Sequence, residues 1–176
     1  MLDLVEIGQN IFLLRSGQGM TLEEVAAQAN QCANTLCAIE HGRTNATVDT
    51  LIHLSATLGI DSRVLGVFSR TDEDILSEIR QAPWLPAKNG NALQFCENIV
   101  LLRKEHGITQ KQLAHAAGMS VAWLREIEHG CANMTMDKLW RISRVFDLSL
   151  MKLACLAMTE EEWMDLVHKA RERAGI

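Results

Sequence analysis

Cysteine and histidine are the residues of this 176-residue chain that could bind a metal or act as nucleophiles, and they occur five and six times. The cysteines are odd in number and form no C-x-x-C pair, so the sequence predicts neither a disulfide framework nor a metal site. They are Cys32, Cys37, Cys96, Cys131 and Cys155. A glycine-rich phosphate loop and a nucleophile elbow are also missing from the sequence. We therefore expect a protein without catalytic activity, metal or cofactor.

One four-residue motif recurs unchanged in the chain. Ile39-Glu40-His41-Gly42 returns 88 residues later as Ile127-Glu128-His129-Gly130. The same offset, without a gap, aligns further identical residues: Asn10 with Asn98, Arg15 with Arg103, Thr21 with Thr109, Leu36 with Leu124 and Thr47 with Thr135. An internal repeat determines the number of structural units before other features are interpreted. The sequence therefore divides into two copies of 88 residues.

Composition indicates a helical protein. Apolar residues make up 48% of the chain, tyrosine is absent and proline occurs twice. Helix-forming residues such as leucine and alanine are plentiful, so an all-α fold is predicted. No apolar run approaches the roughly 18 residues of a membrane span, and the acidic start with Asp3 and Glu6 is unlike a signal peptide. We expect a cytoplasmic protein without a membrane partner.

The net charge of −5 belongs to the first copy. Residues 1–88 contain six basic and eleven acidic side chains, whereas residues 89–176 contain eleven of each. An acidic balance weakens nonspecific attraction to the phosphates of nucleic acids. Any such contact therefore has to depend on where individual charges are placed.

Capping signals predict where the helices of each copy begin. A first amphipathic helix is predicted over 7–15. Thr21 with Glu24, and Thr109 with Gln112, then match the capping box at the start of a second helix. The remaining predicted N-caps, in pairs from the two copies, are Cys32 and Ser120, Thr47 and Thr135, Asp61 and Ser149, and Thr71 and Thr159.

The turn between the second and third helices differs between the copies. Gly118 suits the left-handed conformation at a helix end, and Ser120 suits the N-cap of the next helix. In the first copy Asn30 also tolerates the left-handed conformation, but Cys32 is a poor cap. We therefore expect the third helix of the first copy to start less firmly.

Helical patterns break between the two copies. Residues 83–91 contain both prolines and a glycine between two asparagines. The sequence therefore predicts a first domain over 1–82, a linker over 83–91 and a second domain over 92–176.

Three stretches of the second copy carry a family resemblance. They are residues 102–114, the turn at 117–120 and the motif at 127–130. With these stretches the second copy resembles the Cro and CI repressor type of helix-turn-helix domain, also called the XRE family.

The first copy resembles the same family more weakly. It matches in the first helix and over 21–29 and 39–45, but departs from the pattern at Leu22, Asn30 and Cys32. Taken over both copies, the resemblance implies two tandem five-helix lambda-repressor-like helix-turn-helix domains, each followed by an extra helix.

The resemblance also implies double-stranded DNA as a partner, with the third helix of each copy lying in the major groove. Asn34 could then bond bidentately to adenine, and Arg125 could reach a guanine or a phosphate. The implied base-reading positions are Val121, Ala122, Trp123 and Arg125 in the second copy, and Ala33, Asn34, Thr35 and Cys37 in the first. The implied phosphate contacts are Lys104, Gln110, Lys111 and Ser120 in the second copy, and Thr21 and Arg43 in the first.

Two arginine–glutamate pairs have two interpretations. Arg15 with Glu40, and Arg103 with Glu128, could place DNA-contacting arginines beside a carboxylate. In this family, however, such a pair resembles a partly buried structural salt bridge. We favour the structural interpretation.

The leading hypothesis is a sequence-specific DNA-binding transcriptional regulator. We expect a homodimeric repressor of the kind found in phages and mobile elements, which would be cytoplasmic and associated with the nucleoid when bound to DNA. The alternative is a protein-interaction module, antitoxin-like or a regulator partner, whose acidic first domain binds protein while only the second binds DNA. The charge difference between the copies and the weakened turn at Asn30 and Cys32 favour this alternative.

Overall fold

Every regular element described by the computed structural model is helical, apart from one isolated β-bridge. The structure describes residues 4–80, 92–130, 133–155 and 158–176, and the predicted linker at 83–91 lies outside them. The predicted all-α class is confirmed for the described residues. Among the helices in these ranges, none is long and apolar enough to cross a membrane.

The two halves of the chain contain helices in the same order. In the first half they are α1 (Leu4–Gly17), α2 (Leu22–Gln28), α3 (Ala33–Glu40), α4 (Val48–Leu58), a short 3-10 helix (Ser62–Val64) and α5 (Asp72–Arg80). In the second half they are α6 (Ala92–Glu105), α7 (Gln110–Ala116), α8 (Val121–Glu128), α9 (Met136–Val145), α10 (Leu150–Cys155) and α11 (Glu160–Ala174).

Helix starts follow the predicted capping residues, but the Thr135 side chain at the start of α9 makes no capping hydrogen bond. Thr21 and Thr109 each accept a hydrogen bond from the backbone N–H three residues on, at 3.2 Å, and the capping boxes with Glu24 and Gln112 are complete. Thr159 forms a third capping box, with Glu162. These bonds satisfy backbone donors that a helix N-terminus otherwise leaves unpaired.

The first helix is longer than the sequence pattern predicts, because it begins at Leu4 instead of residue 7. Within this helix, Gly8 lies against the end of α3. A Cβ atom at Gly8 would collide with the carbonyl oxygens of Ile39 and Glu40. The absence of a side chain at this position therefore lets α1 and α3 approach closely.

The turns before α3 and α8 have the predicted backbone shape. Asn30 and Gly118 are left-handed, with φ of 52° and 65°. Ser120 Oγ then accepts the N–H of Trp123 at 3.2 Å, while Cys32 Sγ accepts the N–H of Thr35 at 3.4 Å. The sulfur thus occupies the capping position that an oxygen occupies in the second half.

A buried amide repeats at the same place in both halves. Asn10 donates from Nδ2 to the carbonyl of Leu65 at 2.8 Å, and Asn98 donates to the carbonyl of Leu153 at 2.8 Å. Both asparagines are buried. Because a buried amide needs a hydrogen-bond partner, this bond holds α1 against the end of the 3-10 helix in the first half, and α6 against α10 in the second.

The last helix of each half packs on the other half. Helix α11 lies against α1, and α5 lies against α10. A Cβ atom at Gly17 would collide with the backbone of Ala174, which shows how closely α1 and α11 approach. Arg171 donates to the carbonyls of Phe68 and Arg70 at 2.8 and 2.6 Å. The two halves are therefore interlocked.

The isolated β-bridge also joins the halves. It pairs Thr47 with Thr135, which are equivalent positions of the repeat. Val48 donates its N–H to the carbonyl of Met134 at 2.7 Å, and Met136 donates to the carbonyl of Ala46 at 3.1 Å. Each half thus offers the same backbone segment to the other, as the subunits do in a symmetric dimer.

Candidate nucleic-acid interface

A partly buried ion pair joins α6 to α8 in the second half. Arg103 on α6 binds both carboxylate oxygens of Glu128 on α8, at 2.6 and 3.0 Å, and donates to the carbonyl of Ile108 at 3.1 Å. The two side chains are 14% and 5% exposed. Arg15 and Glu40 form the same pair in the first half, at 2.7 and 3.0 Å. This geometry supports the structural interpretation of both pairs.

The Glu128 carboxyl remains ionised in this partly buried environment. Burial alone would raise the pKa of its carboxyl, but hydrogen bonds from Arg103 and Gln110 hold that pKa below its ordinary value. Glu128 is therefore a stable acceptor for the two side chains that bind it.

Gln110 connects this buried pair to the exposed face of α8. Its Nε2 donates to Glu128 Oε2 at 2.8 Å, and its Oε1 accepts from Arg125 Nε at 3.2 Å. Gln110 was predicted to contact phosphate, but here both ends of its amide bind protein groups. Its amide therefore orients Arg125, whose side chain is exposed.

The other candidates of the second half differ in exposure. Lys104, Lys111 and Ala122 are exposed, and Val121 is half-buried. Ser120 is also exposed, and its hydroxyl caps α8. The candidates able to offer a positive charge to DNA in this half are thus Lys104, Lys111 and Arg125.

Trp123 has a partner that the sequence did not indicate. Lys138 on α9 places its Nζ 3.8 Å from the centroid of the Trp123 ring. A cation over an aromatic face is attracted by the ring's quadrupole. Lys138 therefore joins the candidate surface. The contact could not be predicted from the sequence because Lys138 and Trp123 lie on different helices, whereas helical periodicity relates only residues of the same helix.

The first half lacks the residues needed for the same relay. Leu22 stands where the second half has Gln110, and Cys37 stands where it has Arg125. An aliphatic side chain at Leu22 cannot bridge Glu40 to the exposed face of α3. The relay that orients Arg125 therefore has no counterpart at these two positions.

Several candidates of the first half bond within their own turn or helix. The Thr21 hydroxyl is bound to Glu24, and the Thr35 hydroxyl lies 2.8 Å from Cys32 Sγ. This contact with Thr35, together with the backbone N–H, lowers the pKa of the Cys32 thiol. Cys37 Sγ lies 3.7 Å from His41 Nδ1.

Exposure separates the remaining first-half candidates. Ala33, Thr35 and Cys37 are half-buried, whereas Asn34 and Arg43 are exposed. Asn34 and Arg43 are therefore the candidates of the first half whose polar ends are most accessible to DNA.

Charges at the start of the second helix differ between the halves. Glu23 and Glu24 lie in the first turn of α2, whereas the first turn of α7 contains Lys111 and no acidic residue. Hydrogen bonds from the Thr21 backbone and then its hydroxyl lower the pKa of Glu24, so its carboxyl stays ionised. Two carboxylates oppose an approaching phosphate, which the partial positive charge of a helix N-terminus would otherwise attract.

Comparison with known proteins places the second half in a family. The helix-turn-helix family profile matches residues 99–153. An uncharacterized HTH-type transcriptional regulator, y4dJ of Sinorhizobium fredii, is 41% identical over 54 residues, which are 31% of this chain and 70% of that protein. This chain belongs to the helix-turn-helix family. No solved structure matches it significantly.

The helix-turn-helix match begins within α6 and ends within α10. It contains every candidate of the second half, together with Lys138 and the pair of Arg103 and Glu128. The candidates of the first half lie outside it: Thr21, Ala33, Asn34, Thr35, Cys37 and Arg43.

Proposed function

We propose that this helix-turn-helix protein is a sequence-specific DNA-binding transcriptional regulator, and that its second half reads the DNA. The observation that carries the proposal is the chain of contacts from Arg103 through Glu128 and Gln110 to Arg125. It connects a buried ion pair to an exposed arginine on the second helix of the motif. A side chain held in this way is preorganised for a specific contact, because it loses less conformational entropy on binding.

The proposed binding mode places α8 in the major groove. Arg125 would then donate to a guanine edge, the pairing that its planar donors match best. Lys111 at the start of α7 and Lys104 at the end of α6 would neutralise backbone phosphates, which contribute affinity more than sequence preference. Bound at a promoter, the protein would act as a repressor by excluding polymerase.

The proposed tandem arrangement comprises two helix-turn-helix units, over 1–82 and 92–176. Equivalent backbone segments meet at Thr47 and Thr135, and the last helix of each half packs on the other half. One chain could therefore present two recognition helices as the two subunits of a dimer do. The family resemblance also implies a homodimer. That oligomeric state remains a prediction, separate from the pairing of the two halves within one chain.

A second candidate function is favoured by the first half. Its recognition helix lacks a counterpart of the Gln110 relay, and Glu23 and Glu24 oppose phosphate at the start of α2. Under this second candidate function, the first half binds a partner protein and only the second half binds DNA. The exposed acidic turn suits a partner with a basic surface.

Selection of bound sequences from a random duplex pool by the intact chain tests these proposals. Two half-sites about one helical turn apart would mean that both halves read DNA. A single half-site would leave the first half for a protein partner. Failure to enrich any sequence would contradict the proposed regulator function.

A further inference from the structure

A cavity of about 420 Å³ lies at the junction of the two halves. Its walls include Ile7 and Leu51 from the first half, and Phe95 and Leu139 from the second. These residues form two equivalent pairs of the repeat, since 88 positions separate Ile7 from Phe95 and Leu51 from Leu139. Small-molecule sites are typically clefts of roughly 300–1,000 Å³, and many occur where two domains meet. The size and place of this cavity match such a site.

Apolar groups contributed by both halves make up one part of the cavity wall. Leu51 and Leu139 belong to the buried core, and Phe95 packs against that core. The half-buried Trp140 also lines the cavity. Removing an apolar ring from water against these groups is favourable by roughly 25 cal/mol for each Å² buried.

Charged groups line another part of the cavity, and on the first half they are paired with opposite charges. Arg63 binds Asp61 at 2.7 Å. Arg70 binds Glu6 at 2.9 Å and Glu78 at 3.0 Å. The hydrogen bond with Glu6, followed by its charge and that of Glu78, raises the pKa of Arg70. A cationic ligand would have to displace this arginine from both carboxylates, so the first-half wall does not favour a cation.

The second-half wall is more positive. Arg144 and Lys152 line the cavity there, together with one carboxylate, Asp147. Arg144 lies 3.9 Å from that carboxylate, which is at the limit of an ion pair, and the Asp147 side chain is 95% exposed. A pair this exposed and this long contributes little, so Arg144 can turn to another anion at small cost.

We propose that this cavity binds a small organic anion with an apolar ring system. The ring would occupy the wall formed by Leu51, Leu139 and Trp140, and the anionic group would meet Arg144 and Lys152. Both halves contribute to the wall, so the bound ligand holds them in one relative arrangement. If the proposed regulator function holds, this couples ligand binding to the spacing of the two recognition helices.

The test uses two probes that differ in one charged group. The first is 8-anilinonaphthalene-1-sulfonate, which carries an aromatic body and an anion. The second is N-phenyl-1-naphthylamine, which has the same rings without the sulfonate. Each is titrated into the intact, ¹⁵N-labelled chain in the absence of DNA, while the indole N–H signals are followed by NMR.

The tryptophans provide internal controls for this titration. Trp140 lines the cavity, whereas Trp163 is buried in the core and Trp123 lies on the recognition helix. Trp140→Phe assigns the signal. We expect the sulfonate to shift the Trp140 signal saturably and to bind more tightly than the uncharged probe. An unchanged Trp140 signal, or equal affinity for the two probes, would overturn the proposal.

Variants locate the site on the predicted walls. Gly66→Leu adds a side chain to the cavity wall, where a Cβ atom meets only Ile7 Cγ1, at an ordinary contact distance of 3.5 Å. We expect this change to abolish the Trp140 response. Wild-type affinity in a folded Gly66→Leu protein would contradict the site.

A matched pair of arginines tests the anionic contact. Arg144→Gln should weaken sulfonate binding about two- to fivefold, as expected for a partly exposed charge pair. Arg141→Gln, one turn earlier on α9, removes a side chain outside the cavity wall and should leave the affinity unchanged. Equal losses in the two variants would refute the role of Arg144. Because no DNA is present, these results do not depend on whether the chain regulates transcription.

Discussion

At the scale of single residues, Gln110 is the point where the interior of the second half meets its exposed surface. Its amide accepts from Arg125 on one side and donates to Glu128 on the other. Glu128 is itself held by Arg103, so the orientation of an exposed arginine depends on a buried ion pair. This dependence means that a stability defect and a binding defect have to be measured separately.

Loss of Arg103 should primarily destabilise the fold. Arg103→Gln leaves the Glu128 carboxylate 5% exposed without its main partner, so the free energy of unfolding should fall by about 3 kcal/mol. Urea denaturation at neutral pH measures this loss. Arg141→Gln removes a half-exposed ion pair with Asp137 and should change the same quantity by less than about 1 kcal/mol. A stable Arg103→Gln protein that has lost DNA binding would contradict the structural assignment.

Part of this residue-scale picture follows from the sequence. The family resemblance favoured the structural interpretation of both arginine–glutamate pairs, and exposed Arg125 was among the predicted DNA contacts. The relay through Gln110 could not be predicted, because it depends on how closely the start of α7 approaches α8. The contact of Lys138 with Trp123 depends in the same way on the packing of α9.

At the scale of elements, the two halves differ in how their third helix begins. Ser120 caps α8 with an oxygen, whereas Cys32 caps α3 with a sulfur at a longer distance. Sulfur is a weaker acceptor than oxygen. We therefore expect α3 to gain stability from a better cap.

Exchanging the caps tests this difference. Cys32→Ser should raise the free energy of unfolding by up to about 1 kcal/mol, since serine is a preferred N-cap. Ser120→Ala should lower it by about 1 kcal/mol, because the N–H of Trp123 loses its acceptor. Thermal unfolding of the two variants beside the wild type provides the comparison. If Cys32→Ser is neutral or destabilising, the sulfur cap is as good as the oxygen cap.

Most element boundaries followed from local chemistry. The capping boxes at Thr21, Thr109 and Thr159, and the left-handed positions at Asn30 and Gly118, are determined by a few adjacent residues. The start of α1 at Leu4 was missed because it depends on a tertiary contact. Val5 lies closely against Gly42, just after α3, and the two residues are distant in sequence.

At the scale of the whole molecule, the repeat produces two interlocked halves. Helix α11 completes the packing of the first half, and α5 completes that of the second. Trp163 on α11 is fully buried. Trp163, Val167 and Ala170 form the buried face of α11. An amphipathic pattern shows which side of a helix is buried but not which element covers it, so the partner of α11 could not be predicted.

The contact between α1 and α11 can be tested at Gly17. Alanine normally stabilises a helix relative to glycine by about 0.5–1 kcal/mol. Here a Cβ atom would collide with the backbone of Ala174, so Gly17→Ala should instead destabilise the chain by about 1–3 kcal/mol. Ser16→Ala, at the exposed neighbouring position, is the control and should not destabilise. A stabilising effect of Gly17→Ala would mean that α11 does not pack on α1 in solution.

The most direct test of the proposed DNA readout is the affinity of Arg125→Ala for the selected duplex and for a random duplex at one salt concentration. Arg125 should contribute about 1–3 kcal/mol to the binding free energy of the selected duplex. The variant should therefore lose most of its preference for the selected over the random duplex, while its affinity for random DNA changes little. An equal loss of affinity for both duplexes would indicate that Arg125 contacts a phosphate and not a base. An unchanged preference would contradict readout by the second half.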